Sequence, residues 1–346
     1  MQSSHYILEE FMKQKCNRFI DRILAGIHSR SRQQSTRTVE LILAGHKLNF
    51  LDVGAAGGQQ SRWKQYYNSI DYVLVEPDER SRNELHELFG TSTLIVDKAL
   101  WGNAGSIQIN LCNDTKQSSV YKPNMDLLKK YQFSERYLID SSVSVDCSTI
   151  DELLYKSDIV LDFMKLDIQG AELQVLIGGE LSLSSVLCLE IEVEFSRLYL
   201  DQPLADEIFV YMRKNGFEFL DFVHINRWER TAYSGLGQTM FADAVFIQSP
   251  DKIVGQVSDG TMSVEMGLKF IALLYMYRRY DLALHVLRSL ILNGKIEKER
   301  GKRIDFLVSR QHKKLGRIQT LVLYVNRIID EDSNKEPGFP SIHLQL

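Results

Sequence analysis

The sequence predicts an α/β fold, a mostly parallel sheet with helices on both faces, from three observations. Short apolar runs recur from Leu48 onward with longer amphipathic stretches between several of them, the rhythm of βαβ units. The first run ends in an acidic residue and a glycine-rich turn, Asp52 to Gly58. Two late runs, Phe217 to Val223 and Phe241 to Ile247, enclose a glycine-containing loop and read as an antiparallel pair closing the sheet edge.

A chain of 346 residues allows one large domain with an appendage, or two domains. Its 44% hydrophobic and 25% charged content is ordinary globular usage and excludes a disordered, collagenous or coiled-coil chain. A net charge of -4 leaves no global basic field for nucleic acid, so anion binding has to be local. Cys16, Cys112, Cys147 and Cys188 lie far apart with no C-x-x-C pair, which suggests neither a zinc knuckle nor a disulfide framework and fits a reducing compartment. No apolar stretch approaches the roughly 20 residues that span a bilayer. The expectation is a soluble cytoplasmic protein.

Residues 1–46 read as a helical lead-in, with apolar clusters at helical spacing from Tyr6 to Leu24 broken by the polar run Ser29 to Thr38. The sheet domain spans 47–249. Its early strands are expected at Asn49 to Val53, Tyr72 to Val75, Leu94 to Val96, Ile159 to Leu166 and Val186 to Ile191, and such a sheet holds ligands at its strands' carboxyl ends. Between 102 and 150 the rhythm breaks. Two alternating runs, Ser106 to Leu111 and Ser142 to Cys147, flank the polar segment Asn113 to Tyr121 and predict a β insertion with a loop at the ligand face. Beyond residue 250, Met266 to Ile291 and Ile318 to Ile329 have helical periodicity, so 250–346 is expected as a helical appendage packed on the core. Phe270 to Tyr275 with Tyr280 to Leu284 resembles one tetratricopeptide helix pair, but such repeats need about three copies and no second is present.

Within this frame three segments carry chemistry. Small residues after Asp52 let backbone amides approach a ligand closely. A dinucleotide fingerprint wants glycine at the first, third and sixth positions, where this chain has Gly54, Ala56 and Gln59, a poor match to a nicotinamide site. Glu76 follows Asp52 by 24 residues at the next strand's end, where a carboxylate can accept from both hydroxyls of a ribose. That spacing implies a nucleoside without separating a nucleotide from S-adenosylmethionine. The third segment, Asp162 to Leu173, carries Lys165, Asp167 and Gln169 on one strand face, an unusual place for charge unless these side chains meet each other or a ligand.

Together these segments resemble the FkbM-type S-adenosylmethionine-dependent methyltransferases from about Leu48 to Ile247. The resemblance rests on Leu51 to Ala55, on Val75-Glu76-Pro77, on the Ser118-Ser119 pair, and on Lys165 to Leu173 followed by Val175 to Gly179. It implies a class I methyltransferase (Rossmann-like) sheet of seven strands with the last antiparallel to the rest. It also implies S-adenosyl-L-methionine as cofactor, with Asp52, Gly54, Ala55 and Gly57 along its methionine part and Glu76, with Pro77 beside it, at its ribose. Asp97 would then lie near the adenine, and Ser118 and Ser119 near the pocket mouth. The activity implied is O-methylation, often of sugar hydroxyls in glycans or natural products, and the acceptor is left unnamed.

For the chemistry, Asp167 is the first candidate to take the acceptor's proton or orient its hydroxyl, with Lys165 keeping it ionised. His224 has a suitable intrinsic pKa, although a lone histidine beyond a strand end is more often a loop residue. Glu190, Glu192 and Glu194 alternate on one strand; lacking a companion Asp or His set, they read as a ligand-facing or edge strand rather than a metal site. Two rival readings stand beside the methyltransferase: a nicotinamide oxidoreductase, and a non-catalytic adaptor whose helical tail is its working surface. Lys295 to Arg317 holds nine Lys or Arg against three Asp or Glu, a patch able to meet an anionic membrane or a lipid-linked glycan, or simply a solvated helix face. The partner expected above all is a hydroxyl-bearing small molecule or glycan, with no nucleic acid.

Overall fold

A computed structural model describes residues 32–333 apart from 59, 91–92, 158 and 231–234; the apolar clusters from Tyr6 to Leu24 lie outside them. Seven strands form the main sheet: β1 (Leu48–Val53), β2 (Ile70–Val75), β3 (Leu94–Val96), β7 (Phe163–Leu166), β8 (Cys188–Glu194), β9 (Phe217–Trp228) and β10 (Gln238–Gln248). Their order is β3-β2-β1-β7-β8-β10-β9. The strands from β3 to β8 are parallel, and β10 runs antiparallel to both its neighbours. This is the expected class I methyltransferase sheet, closed at its edge by the expected antiparallel pair.

β1 is central because both of its faces are apolar. Leu51 and Val53, with Val73, Val75, Met164 and Leu166 from the adjacent strands, pack against α5 (Ile150–Ser157), α6 (Glu172–Ile177) and α7 (Ala205–Lys214). Leu48 and Phe50, with Leu74, Phe163 and Val245, pack on the opposite side against a helix at 32–43 (α1) and α8 (Pro250–Asp259), α9 (Val264–Met276) and α10 (Tyr280–Leu292). The helices after residue 250 thus form the layer over one sheet face. In α9 every residue from Leu268 to Tyr275 is buried, as a helix apolar nearly all round must be. Its one cation there, Lys269, is neutralised by Asp162 and Glu265 at 3.0 Å each.

Three local expectations are corrected. The described part of the polar run is helical: a helix runs through 32–43 because Val39, Ile42 and Leu43 bury one face and Thr38 Oγ1 donates back to the Gln34 carbonyl at 2.8 Å. The strand expected from Ile159 begins only at Phe163. The next strand continues past Ile191 to Glu194, all seven of its residues buried; Arg62 and Tyr277 meet Glu190 and Gln169 meets Glu192 from distant segments, while Glu194 Oε2 is left without a partner.

The insertion is a three-stranded sheet of β4 (Ala99–Leu100), β6 (Ile139–Ser148) and β5 (Gly105–Cys112), in that order. Ile107, Ile109 and Leu111 alternate with Ser106, Gln108 and Asn110, and the aliphatic side faces the ligand end of the main sheet. At the other end of the chain, α11 (Lys298–Ser333) absorbs the charged run: Gly301, Ile304 and Val308 are buried, while Lys302, Arg303, Arg310, Lys313, Lys314 and Arg317 are exposed. Among the described residues no helix is long and apolar enough to cross a membrane.

Candidate functional site

A cavity of about 580 Å³ opens where the strands end, between the main sheet and the insertion. Its first wall follows from the turn after β1. Gly54 has φ 81° and donates its N–H to Val75 O at 3.1 Å, and a Cβ there would stand 2.1 Å from Asp167 O, so no other residue fits. Glu76 follows β2, is buried, and accepts from Asp78 N–H at 2.8 Å. Burial pushes its carboxyl up, against the backbone N–H groups of Asp78 and Ala56 that favour the charged form. Lone pairs remain on the carboxylate for a diol, and Pro77, Asp78 and Ser81 continue this wall.

The second wall comes from the ends of β7 and β8. Register sets Asp52 beside Lys165 and Lys165 beside Glu190. Lys165 is buried, 2.9 Å from Asp167 Oδ2 and 3.9 Å from Asp52 Oδ1. Burial alone would raise the Asp167 carboxyl, but Lys165 at hydrogen-bond distance holds it below the usual carboxylate range. Burial likewise opposes the Lys165 ammonium, and Asp167 with Asp52 keeps it charged. Gln169, in the left-handed region at φ 59°, is fixed by three contacts: Ser119 Oγ donates to its carbonyl at 2.7 Å, Tyr199 Oη to its Oε1 at 3.0 Å, and its Nε2 donates to Glu192 Oε2 at 2.8 Å.

Beneath this wall the helical tail reaches the sheet. Tyr277 donates to Glu190 Oε2 at 2.6 Å, and Arg62 from α2 (Ser61–Lys64) bridges Glu190 and Asp243. Burial pushes Glu190 up to about 7, opposed by Arg62. His224, mostly exposed, stands 4.0 Å from Asp243 and completes the far end with Asn226.

Of the residues singled out from sequence, Gly54, Glu76, Pro77, Ser118, Ser119, Asp167 and His224 line the cavity. Asp52, Ala55, Gly57, Asp97 and Lys165 do not; Lys165 and Asp52 lie just behind Asp167. Sequence reasoning left Asp243 and Asn226 off the site, and reached Glu192 only as part of a ligand-facing or edge strand and as an acid to test after Asp167. The alternation of Glu190, Glu192 and Glu194 signalled Glu192, and nothing in the sequence signalled Arg62 or Tyr277. Among the described residues no three His, Cys, Asp or Glu side chains are placed to hold a metal ion.

The model of the methyltransferase FkbM domain matches residues 35–219. Among curated protein sequences none matches the chain. Solved structures similar to it include the 1,6-didemethyltoxoflavin-N1-methyltransferase of Burkholderia thailandensis with bound 1,6-didemethyltoxoflavin and S-adenosylhomocysteine, at 12% identity over 67% of this chain and 86% of that one, TM-score 0.29. A SAM-dependent methyltransferase from Agrobacterium tumefaciens shares 9% identity over 64% of this chain and 62% of that one, TM-score 0.31. TehB from Haemophilus influenzae shares 11% over 62% of each, TM-score 0.31. The fold assignment rests on the strand order.

Proposed function

The chain belongs to the FkbM methyltransferase family, and from that premise we propose that it is an S-adenosylmethionine-dependent O-methyltransferase acting on a hydroxyl, above all of a sugar in a glycan or glycosylated metabolite. The observation that carries this reading is one continuous cavity running from Glu76 past Gly54 to Asp167 and on to His224 and Asn226. The residues present fit the cofactor. Glu76 would grip the ribose diol, and the turn around Gly54 and Ala56 would lie along the methionine part. When bound, the cofactor supplies an electrophilic methyl group on a sulfonium. The chain's own task is to hold an acceptor oxygen in line with that methyl, and Asp167, fixed by Lys165, would orient the hydroxyl. The polar far end, with Gln169, Asn226 and Asp243, supports a polyol, whose hydroxyls need both donors and acceptors.

Calorimetry tests the reading without knowledge of the acceptor. The protein should bind S-adenosylmethionine, and Glu76→Ala should weaken binding by about 1.5 to 3 kcal/mol, or ten- to a hundredfold, the worth of hydrogen bonds to a charged group. Equal affinities would remove Glu76 from the site, and no binding by the wild type would end the methyltransferase reading.

A further inference from the structure

Five carboxylates line the cavity, and four of them are held by a cation or a backbone N–H, whereas Glu192 meets only the Gln169 amide and the Asp167 carboxyl. Glu76 takes the Asp78 N–H at the ribose end, and Asp78 is paired with Arg80 at 2.6 Å. Asp167 is bound to Lys165 at 2.9 Å, and Asp243 faces Arg62 at 3.5 Å. Among the described residues Glu192 has no cation within ion-pair range. Gln169 holds its Oε2 at 2.8 Å, and the residue keeps 7% of its surface open on the cavity wall. The strand order gives its position relative to a bound cofactor. The ribose end belongs to β2 and the glycine turn to β1; β7, β8, β10 and β9 follow in that order, so the wall beyond the turn is the acceptor's.

We infer, resting on the methyltransferase reading, that Glu192 is the catalytic base of this site, receiving the acceptor hydroxyl's proton, and that Asp167 positions the acceptor. The acceptor oxygen forms its bond to the methyl carbon as the carbon–sulfur bond breaks, the electron pair stays on sulfur, and the hydroxyl proton passes to Glu192. The surroundings suit Glu192 to this. Burial, then the charges of Asp167, Glu194, Glu172 and Asp243, raise its carboxyl well above the ordinary range, which makes its ionised form a stronger proton acceptor. The groups acting on it from neighbouring elements are Asp167 after β7, Glu172 of α6, Asp243 of β10 and the phenols of Tyr137 and Tyr199, with Lys165 on Asp167 and His224 near Asp243 one step beyond. Glu190 and Glu194 flank it on its own strand.

The test uses sinefungin, which carries an ammonium group where the cofactor carries its methyl sulfonium, against S-adenosylhomocysteine, which carries neither. Titrations of the full chain should show sinefungin binding about ten- to a hundredfold tighter, as a charge-assisted contact gives. Its binding should release a proton from Glu192, seen as a heat that differs between phosphate and Tris buffers. In Glu192→Gln the preference and the proton release should both disappear, while S-adenosylhomocysteine affinity stays within about threefold, the scatter below one hydrogen bond's worth. Once an acceptor is in hand, the same variant should lose roughly 10² to 10⁴ in single-turnover rate, along with the rise of rate with pH, and Glu192→Asp should restore part of both. A preference retained in Glu192→Gln, or absent from the wild type, overturns the inference, as does loss of S-adenosylhomocysteine binding in the variant, which would make Glu192 scaffolding. Failure of the wild type to bind either compound strikes instead at the methyltransferase reading.

Discussion

The end of the cavity proposed for the ribose, at Glu76, and the end proposed for the acceptor, at Asp167, are made of different material. Around Gly54 and Glu76 the wall is backbone amides and two carboxylates, Glu76 and Asp78, all contributed by two adjacent strands and the turns that follow them. Around Asp167 and Glu192 it is a set of charges drawn from the β7 end, β8 and β10 and from Arg62 before β2, with the phenol of Tyr277 beyond the sheet donating to Glu190. A backbone cradle needs only the local conformation to be right. A buried charge cluster needs every partner present, because a carboxylate or ammonium left alone in such a place loses solvation that nothing replaces.

The sharpest way to break that contrast is to remove the one cation between Asp52 and Asp167. Lys165→Met strands both carboxylates and should lower stability by about 3 to 5 kcal/mol at neutral pH, read as a fall in the urea midpoint with the slope unchanged. A loss near that of an ordinary surface change, about 0.5 kcal/mol, would show that the acceptor end is wetter than its burial implies. At the ribose end the corresponding change is Gly54→Ala, whose Cβ would meet Asp167 O at 2.1 Å with φ at 81°. The expected loss is about 2 to 4 kcal/mol, together with cofactor binding. Gly57→Ala, with φ 82° and nothing within 4 Å, should lose only about 1 to 2 kcal/mol from the backbone alone.

A pH series separates the two ends further. Glu190 is raised by burial to about 7 from 4.5, so the folded chain holds a proton that the unfolded chain has already released. Its contribution is therefore fully present below about 4.5 and is lost as pH rises through 7. Glu190→Gln cannot titrate, so its stability should change less between pH 5 and 8 than the wild type's, by on the order of 1 to 3 kcal/mol. Parallel curves would mean that Arg62 and Tyr277 already hold Glu190 ionised. The smallest expected effect lies outside the cavity. The exposed basic face of α11 should sediment with phosphatidylserine vesicles at low salt and release at high salt, at about 1 kcal/mol or less per basic residue. Absence of binding at low salt leaves that face as solvated helix.

How far the sequence could be read follows the same division. Strand β1 and its turn were legible because apolar residues on both faces, an acid and a glycine cluster are contiguous signals, and Glu76 was found by spacing alone. The β insertion was legible through its period-2 alternation, and the helices after residue 250 through theirs. The polar opening of α1 misled, since Val39, Ile42 and Leu43 anchor it only through a core supplied mainly by later segments. Glu190, Glu192 and Glu194 could be placed on one strand face, but not told apart.

What the sequence determined by itself was therefore the class of sheet and the family, together with the glycine turn and Glu76 that line one end of the cavity, because periodicity and short motifs are set by neighbours along the chain. Only the tertiary structure decided which carboxylates are spoken for. Lys165 could have met Asp52 or Asp167 alone, and instead stands between them; Tyr277 and Arg62 converge on Glu190 from segments far apart in sequence. The charge state of a buried acid depends on the summed field of whatever the fold brings within a few ångströms of it, and that sum has no counterpart in any stretch of the sequence.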